Sequence, residues 1–148
     1  LLPIFNTASE VGYGTVIASL AAFVVIRDYM VNLSPGNPLI SEAISVTTLA
    51  GITGSASGGM SITLSTLGET YLQMAEVAGI SPELLHRVAS MAAGGLDTLP
   101  HNGAVITLLA ITKLTHRDSY ADIFMVAVVF PIIATSTVIA LGSAFGSF

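Results

Sequence analysis

Apolar residues fill long stretches of this chain, and the few charges mark where those stretches stop. Val11 to Ile26 carries no charge, nor does Ala43 to Gly68, nor Ile123 to Phe148, and between Arg87 and Lys113 Asp97 stands alone. A spanning helix needs about 20 mostly apolar residues, so the pattern predicts about four segments at membrane depth. The first, roughly Gly12 to Met30, is apolar all round, as suits a helix surrounded by lipid or protein, and Arg27 and Asp28 end it. The last, roughly Tyr120 to Ala144, contains Pro131. Membrane helices tolerate such a kink when neighbours satisfy the freed carbonyl. Ahead of it, Thr115 and Asp118 have the spacing of a capping box.

The two middle segments are interrupted. Pro35-Gly36-Asn37-Pro38 reads as a turn, with Asn37 and Pro38 as N-cap and first residue of a helix that begins near Leu39. That helix meets Gly51-Ile52-Thr53-Gly54-Ser55-Ala56-Ser57-Gly58-Gly59, whose four glycines and three hydroxyl residues have too little propensity to hold a helix unaided. Helix is expected again from Met60 to about Val77. This is the pattern of a re-entrant hairpin or broken helix, tolerated at membrane depth only where it is buried in protein or lines a wet cavity. Ser81 and Pro82 start the next helix. It runs to about Ala93, with Ala89, Ala92 and Ala93 allowing close helix contact. Gly94-Gly95-Leu96-Asp97-Thr98-Leu99-Pro100-His101-Asn102-Gly103 interrupts it, and helix resumes from Ala104 to Lys113. Two interrupted segments of this kind point to a transporter's binding site. The expected fold is therefore all-α: a polytopic integral membrane protein with transmembrane helices, a re-entrant hairpin and a broken helix. No internal repeat or separate soluble domain is visible, so residues 1–148 read as one transmembrane portion. The chain begins at Leu1 without a signal-peptide pattern, and we expect it to be part of a longer protein.

Composition agrees. Of 148 residues, 53% are hydrophobic and 9% charged, with a mean hydropathy of +0.84, whereas a soluble domain carries about 25% charged residues. Four Lys or Arg residues cannot form a phosphate-binding stripe, so no nucleic-acid partner is expected. The absence of cysteine excludes disulfides and thiolate metal sites, and neither a metal nor an organic cofactor is expected. Lys113, His116 and Arg117 share one loop, which the positive-inside rule makes cytoplasmic, with the C-terminus outside. Tyr13, Tyr29, Tyr71 and Tyr120 read as interface aromatics.

Candidate chemistry gathers at the interruptions. A carboxylate such as Asp97 costs about 2.5–3.5 kcal/mol at the centre of a membrane helix. It reads either as a fold-stabilising group bonded to the broken backbone or as a proton or cation site. His101, four residues on, would share its face in a helix, which Pro100 and Gly103 oppose; it is structural or a ligand. The glycines from Gly54 to Gly59 either let helices pack closely or expose N–H groups, Gly58 among them, that receive a carboxylate together with the Ser55 and Ser57 hydroxyls. Asn6, Thr7, Ser9 and Glu10 form an interfacial cap, or line a cavity if Gly12 and Gly14 mark an unwound stretch. Glu10 then lies at depth and becomes a second coupling candidate. An enzyme is not expected. There is no H-E-x-x-H, Ser57 lacks the G-x-S-x-G frame, and Asp97 has no second catalytic aspartate.

Asn6-Thr7-Ala8-Ser9-Glu10-Val11-Gly12-Tyr13-Gly14, Gly51 to Gly59, His86-Arg87-Val88-Ala89-Ser90-Met91 and Asp97 to Thr107 resemble the gluconate permease (GntP) family, most closely its hydroxybutyrate-permease-like branch. That branch borders the citrate transporter (CitM-type) family within the ion transporter superfamily. The resemblance covers nearly the whole chain and corresponds to the C-terminal third of a full permease. It implies a multi-pass protein of the bacterial inner (cytoplasmic) membrane, usually a homodimer. It also implies symport of a small hydroxy-carboxylate such as 3-hydroxybutyrate or gluconate with protons or sodium, citrate or a dicarboxylate being the alternative. The organic-acid anion, the lipid bilayer and the N-terminal remainder of the permease are the implied partners. Carried over by position, the carboxylate would meet Asn6 and Thr7, Ser55 and Ser57, and Thr98 and Asn102. Proton or cation coupling by Asp97, His101 and Glu10 rests on those residues themselves. A non-transporting helical scaffold explains the hydrophobicity and the glycines but not the polar run from Asp97 to Asn102.

Overall fold

A computed structural model of the chain describes residues 2–34 and 36–146; the side chains at 2–4, 6, 7, 10, 11, 14 and 18 lie outside that description. The elements are α1 (Leu2–Ser19), α2 (Ala21–Val31), α3 (Pro38–Thr53), α4 (Ala56–Ala78), α5 (Pro82–Ala92), α6 (Gly103–Thr112) and α7 (His116–Phe124), then a π turn (Met125–Val129) and α8 (Phe130–Phe145). Among the described residues there is no strand, and the all-α expectation holds.

Local chemistry sets most of the helix starts. The Asn37 side chain accepts the Leu39 N–H at 3.1 Å, with Pro38 in the first helical position. Ser81 does the same for Leu84 ahead of Pro82. Asp118 Oδ2 accepts from the Thr115 N–H at 3.0 Å and from its hydroxyl at 2.6 Å, so the expected reach back to the N-cap is made. Gly79 and Lys113 end α4 and α6 in the left-handed conformation.

Two expected boundaries are corrected. The first segment is not one helix from Gly12 to Met30. Helix begins at Leu2, passes through Gly12 and Gly14 without unwinding, and breaks at Leu20, whose backbone is extended. Ser19 turns its hydroxyl onto the Val16 carbonyl at 2.7 Å, the back-bonding that bends helices. The glycine-rich interruption is also far shorter than nine residues. α3 continues through Thr53, only Gly54 (φ 65°) and Ser55 leave the helix, and α4 begins at Ala56. Tertiary contact overrides propensity here: a Cβ at Gly59 would fall inside the backbone of Ala50, and one at Gly51 would meet Leu96 Cβ at 3.0 Å. These glycines stay helical because they let backbones touch.

α3, α4 and α5 pack into the core around Leu39, Val46, Leu67, Leu84 and Val88, and α8 lies on α5, where a Cβ at Gly142 would meet Leu84 Cδ2 at 2.6 Å. Tyr71, expected at a membrane interface, is buried in this core. Its hydroxyl lies 2.6 Å from Ser45 Oγ and 3.2 Å from the Ser41 carbonyl, two partners one turn apart on α3. Tyr13 and Tyr29 are exposed.

α7, the π turn and α8 form one helix of 30 residues, His116–Phe145, long and apolar enough to cross a membrane, with 11% of its most apolar window buried. At about 1.5 Å per residue it is about 45 Å long. The other apolar helices, Pro38–Thr53 and Gly103–Thr112, are shorter. Pro131 does not interrupt the long helix. The backbone widens into the π turn, where the Phe130 N–H reaches Met125 O.

Gly59→Ala should therefore separate α3 from α4 and lower stability by about 3 kcal/mol, the upper end of overpacking costs. Gly68→Ala in the same helix, where a Cβ meets nothing within 4 Å, should raise stability by up to about 1 kcal/mol. Thermal unfolding of the full-length protein in detergent checks both.

Candidate functional site

A helix leaves its last carbonyls without partners, and at the end of α3 the interruption between α5 and α6 supplies them. The Gly54 and Ser55 N–H groups both turn back to Ala50 O, which leaves the carbonyls of Gly51 and Gly54 to be met from elsewhere. His101 Nε2 lies 3.0 Å from Gly51 O. A carbonyl can only accept, so Nε2 carries the hydrogen. Asn102 Nδ2 donates to Gly54 O at 2.7 Å and to Asp97 O at 2.8 Å. Its Oδ1 accepts the Val105 N–H at 2.9 Å, which makes Asn102 the N-cap of α6. One buried side chain thus closes α3, starts α6 and folds the Asp97 loop. Gly54 is needed here twice over: its backbone is left-handed, and a Cβ would lie 3.0 Å from His101 Cδ2.

On the far side of the turn Ser55 is the N-cap of α4. Its Oγ accepts the Gly58 N–H at 3.1 Å and lies 3.2 Å from Ser57 Oγ. Ser55 and Gly58 are buried, whereas Ser57 is exposed. The N-termini of α4 and α6 therefore sit side by side, tied through Asn102 and Gly54. Each carries the positive end of a helix dipole. No Lys or Arg lies in either interruption, so any attraction for an anion there comes from backbone dipoles and hydroxyls.

The second interruption is also held from the other side. Tyr120 donates to Thr98 O at 3.3 Å, and His116 Nε2 lies 3.1 Å from Pro100 O. Thr98 Oγ1 donates to Ala127 O at 3.4 Å, the carbonyl that Pro131, lacking an N–H, cannot serve. Tyr120 thus has a partner of its own rather than acting only as an interface aromatic.

Of the residues nominated from sequence, Ser55, Asp97, Thr98, His101 and Asn102 lie on these two joined interruptions, and Ser57 and Gly58 lie in the first turn of α4. The side chains of Asn6, Thr7 and Glu10 lie outside the described residues. Asp97 is half-buried, and its backbone carbonyl accepts from Asn102 Nδ2. It makes no ion pair among the described residues. Asp97 and His101 do not bond each other; His101 is turned to α3 instead. Among the described residues no group of three or more His, Asp or Glu could hold a metal ion. A cavity of about 550 Å³ lies between α3 and α8, with Thr47, Gly95 and Thr135 on its walls, but neither Ser57 nor Asn102 lines it.

Sequence reasoning did not single out Glu42. It is 1% exposed. Its spacing from Leu39 and Val46 put it on the buried face of α3, a signal that was available in the helical period.

Asn102→Ala removes the cap and strands two carbonyls, and should cost about 2 kcal/mol or more. Ser57→Ala, at an exposed hydroxyl, should stay within about 0.5 kcal/mol. Denaturant titration of the full-length protein in detergent separates them.

The chain is 53% identical over 139 residues to the "uncharacterized transporter YxjC" of Bacillus subtilis (strain 168), an alignment that covers 90% of this chain. It spans 29% of that relative's length. No family model matches the chain, and no solved structure matches it.

Proposed function

We propose that the chain forms part of a multi-pass, cation-coupled permease for small hydroxy-carboxylates in a bacterial cytoplasmic membrane. The observation that carries this reading is the pair of helix N-termini, α4 and α6, fixed side by side by Asn102 with an exposed serine hydroxyl next to them. Helix N-termini receive carboxylates without a basic side chain, and binding at broken helices is the transporter arrangement. Transport is supported by the name of the similar protein, and a hydroxy-acid substrate by the resemblance of the motifs to gluconate and hydroxybutyrate permeases.

In this reading Ser57 and the first-turn amides of α4 and α6 meet the substrate carboxylate. Ser55, Gly58 and Asn102 hold those amides in place, and Thr98 fixes the Asp97 loop to the long C-terminal helix. Asn6 and Thr7 on α1 complete the polar lining. Asp97, His101 and Glu10 couple transport to protons or sodium. Because Asn102 bridges both interruptions, they move as one body when the site changes the side it faces. A homodimer, with the rest of each chain supplying the other part of the site, is the assembly proposed.

The test is uptake by the full-length protein in proteoliposomes, with 3-hydroxybutyrate, gluconate and citrate compared. Ser57→Ala should raise KM for the favoured hydroxy acid about tenfold, the worth of one hydrogen bond to a charged group. Asp97→Asn should abolish accumulation driven by an imposed pH or sodium gradient. If both variants take up every acid like the wild type, the site is misplaced. Uptake indifferent to either gradient would indicate a channel.

A further inference from the structure

Glu42 is an acidic side chain that the proposed site does not use. It lies just over one turn into α3 on the face with Leu39 and Val46, and it is 1% exposed. The other described acidic side chains are exposed or half-buried. Glu42 Oε2 is buried with no hydrogen-bond partner, and no basic side chain pairs with Glu42.

The groups that face it are few. From α4 come Tyr71, whose hydroxyl is taken by Ser45 and Ser41, and Glu69. From α5 comes His86. α8 presents no titratable side chain between Phe130 and Phe145. On α2, Arg27 and Asp28 pair with each other at 2.8 Å and are exposed. On α1, Tyr13 is exposed, and the Glu10 side chain lies outside the described residues. A cavity of about 460 Å³ between α3, α4 and α5 has Glu42 on its wall, with Ser65, Glu69 and His86 also lining it. Glu69 and His86 are exposed, so the cavity connects the buried carboxyl to titratable groups that reach the surroundings.

An ionised carboxylate cut off from water and unpaired is among the costliest groups a protein can bury. The position therefore demands a neutral carboxyl, and the neutralising particle must suit one carboxylate oxygen without further ligands. Hard metal cations take several oxygens, and among the described residues no three acidic or histidine side chains, Glu42, Glu69 and His86 included, are placed to hold a metal ion together. A proton needs one.

The geometry points to Glu42 as a proton-binding site of this protein, loaded in the packed arrangement of α3, α4 and α5 and exchanging its proton through the cavity bordered by Glu69 and His86. As a coupling group it rests on the transport reading above; as a protonated carboxyl it does not. The experiment therefore has two arms on the full-length protein. In the first, infrared difference spectra of purified protein should show a carboxylic C=O band at neutral pH that vanishes in Glu42→Gln and fades reversibly as pH rises. In the second, proteoliposomes carrying Glu42→Gln should still exchange 3-hydroxybutyrate or gluconate across the membrane but lose accumulation driven by an imposed pH gradient. Glu42→Asp, which keeps the carboxyl and shifts its band, serves for the assignment where Glu42→Gln does not reach the membrane. Wild-type protein without a band assignable to Glu42, or with one that does not respond to pH, overturns the proposal, as does wild-type accumulation by Glu42→Gln. Should wild-type protein accumulate neither acid, the substrate reading fails and the infrared arm alone decides for Glu42.

Discussion

The structure depends on finding partners for the carbonyls at the end of α3. A helix that stops short of the aqueous phase leaves oxygens that water cannot reach, and each buried one left unmet costs about 1–3 kcal/mol. Here the oxygens of Gly51 and Gly54 receive His101 and Asn102 from a segment about 50 residues further along the chain. Neither interruption is complete alone. The first supplies bare carbonyls, and the second supplies donors that need a fixed place. The polar residues that look like an intrusion into an apolar sequence are therefore the condition for stopping α3 where it stops.

Other features follow from bringing those two segments together. α4 must leave the turn at once and run back along α3, and only glycine at position 59 allows it so close to Ala50. The Asp97 loop must rest on something at its outer side, and the long helix from His116 to Phe145 offers Tyr120, His116 and the Ala127 carbonyl. Pro131 then has two effects. It opens the helix locally and frees an acceptor for Thr98. The result is a junction tied at several points, with two helix N-termini beside it.

What was legible from sequence was the chemistry that acts within a few residues. Asn37-Pro38, Ser81-Pro82 and the Thr115–Asp118 pair start helices as expected because each cap reaches only its own first turn. The polar composition of the second interruption also drew attention to His101 and Asn102, though not to what they hold, since Gly51 and Gly54 are distant in sequence. Judgements of extent failed where contact decides. Glycine propensity predicts a nine-residue break, but Ala50 packed on Gly59 keeps all but two of those residues helical. Tyr71 reads as an interface aromatic until Ser41 and Ser45 offer its hydroxyl a buried home. Leu20 carries no breaking signal at all, and the Ser19 hydroxyl beside it does the work.

Asp97 and Glu42 show most clearly where a sequence reading and a physical one diverge. Asp97 draws attention because no other charge lies near it in the chain, yet in space it is only half-buried, on a loop whose backbone Asn102 holds through the Asp97 carbonyl. Glu42 looks ordinary in sequence, next to a turn and not far from Arg27 and Asp28, yet its Oε2 is buried without a hydrogen-bond partner. Isolation along the chain measures how rarely a charge was placed; isolation in space measures what that charge must do to remain. A buried carboxyl oxygen without a donor favours the protonated form, and a change in the packing of α3, α4 and α5 around Glu42 would change that preference.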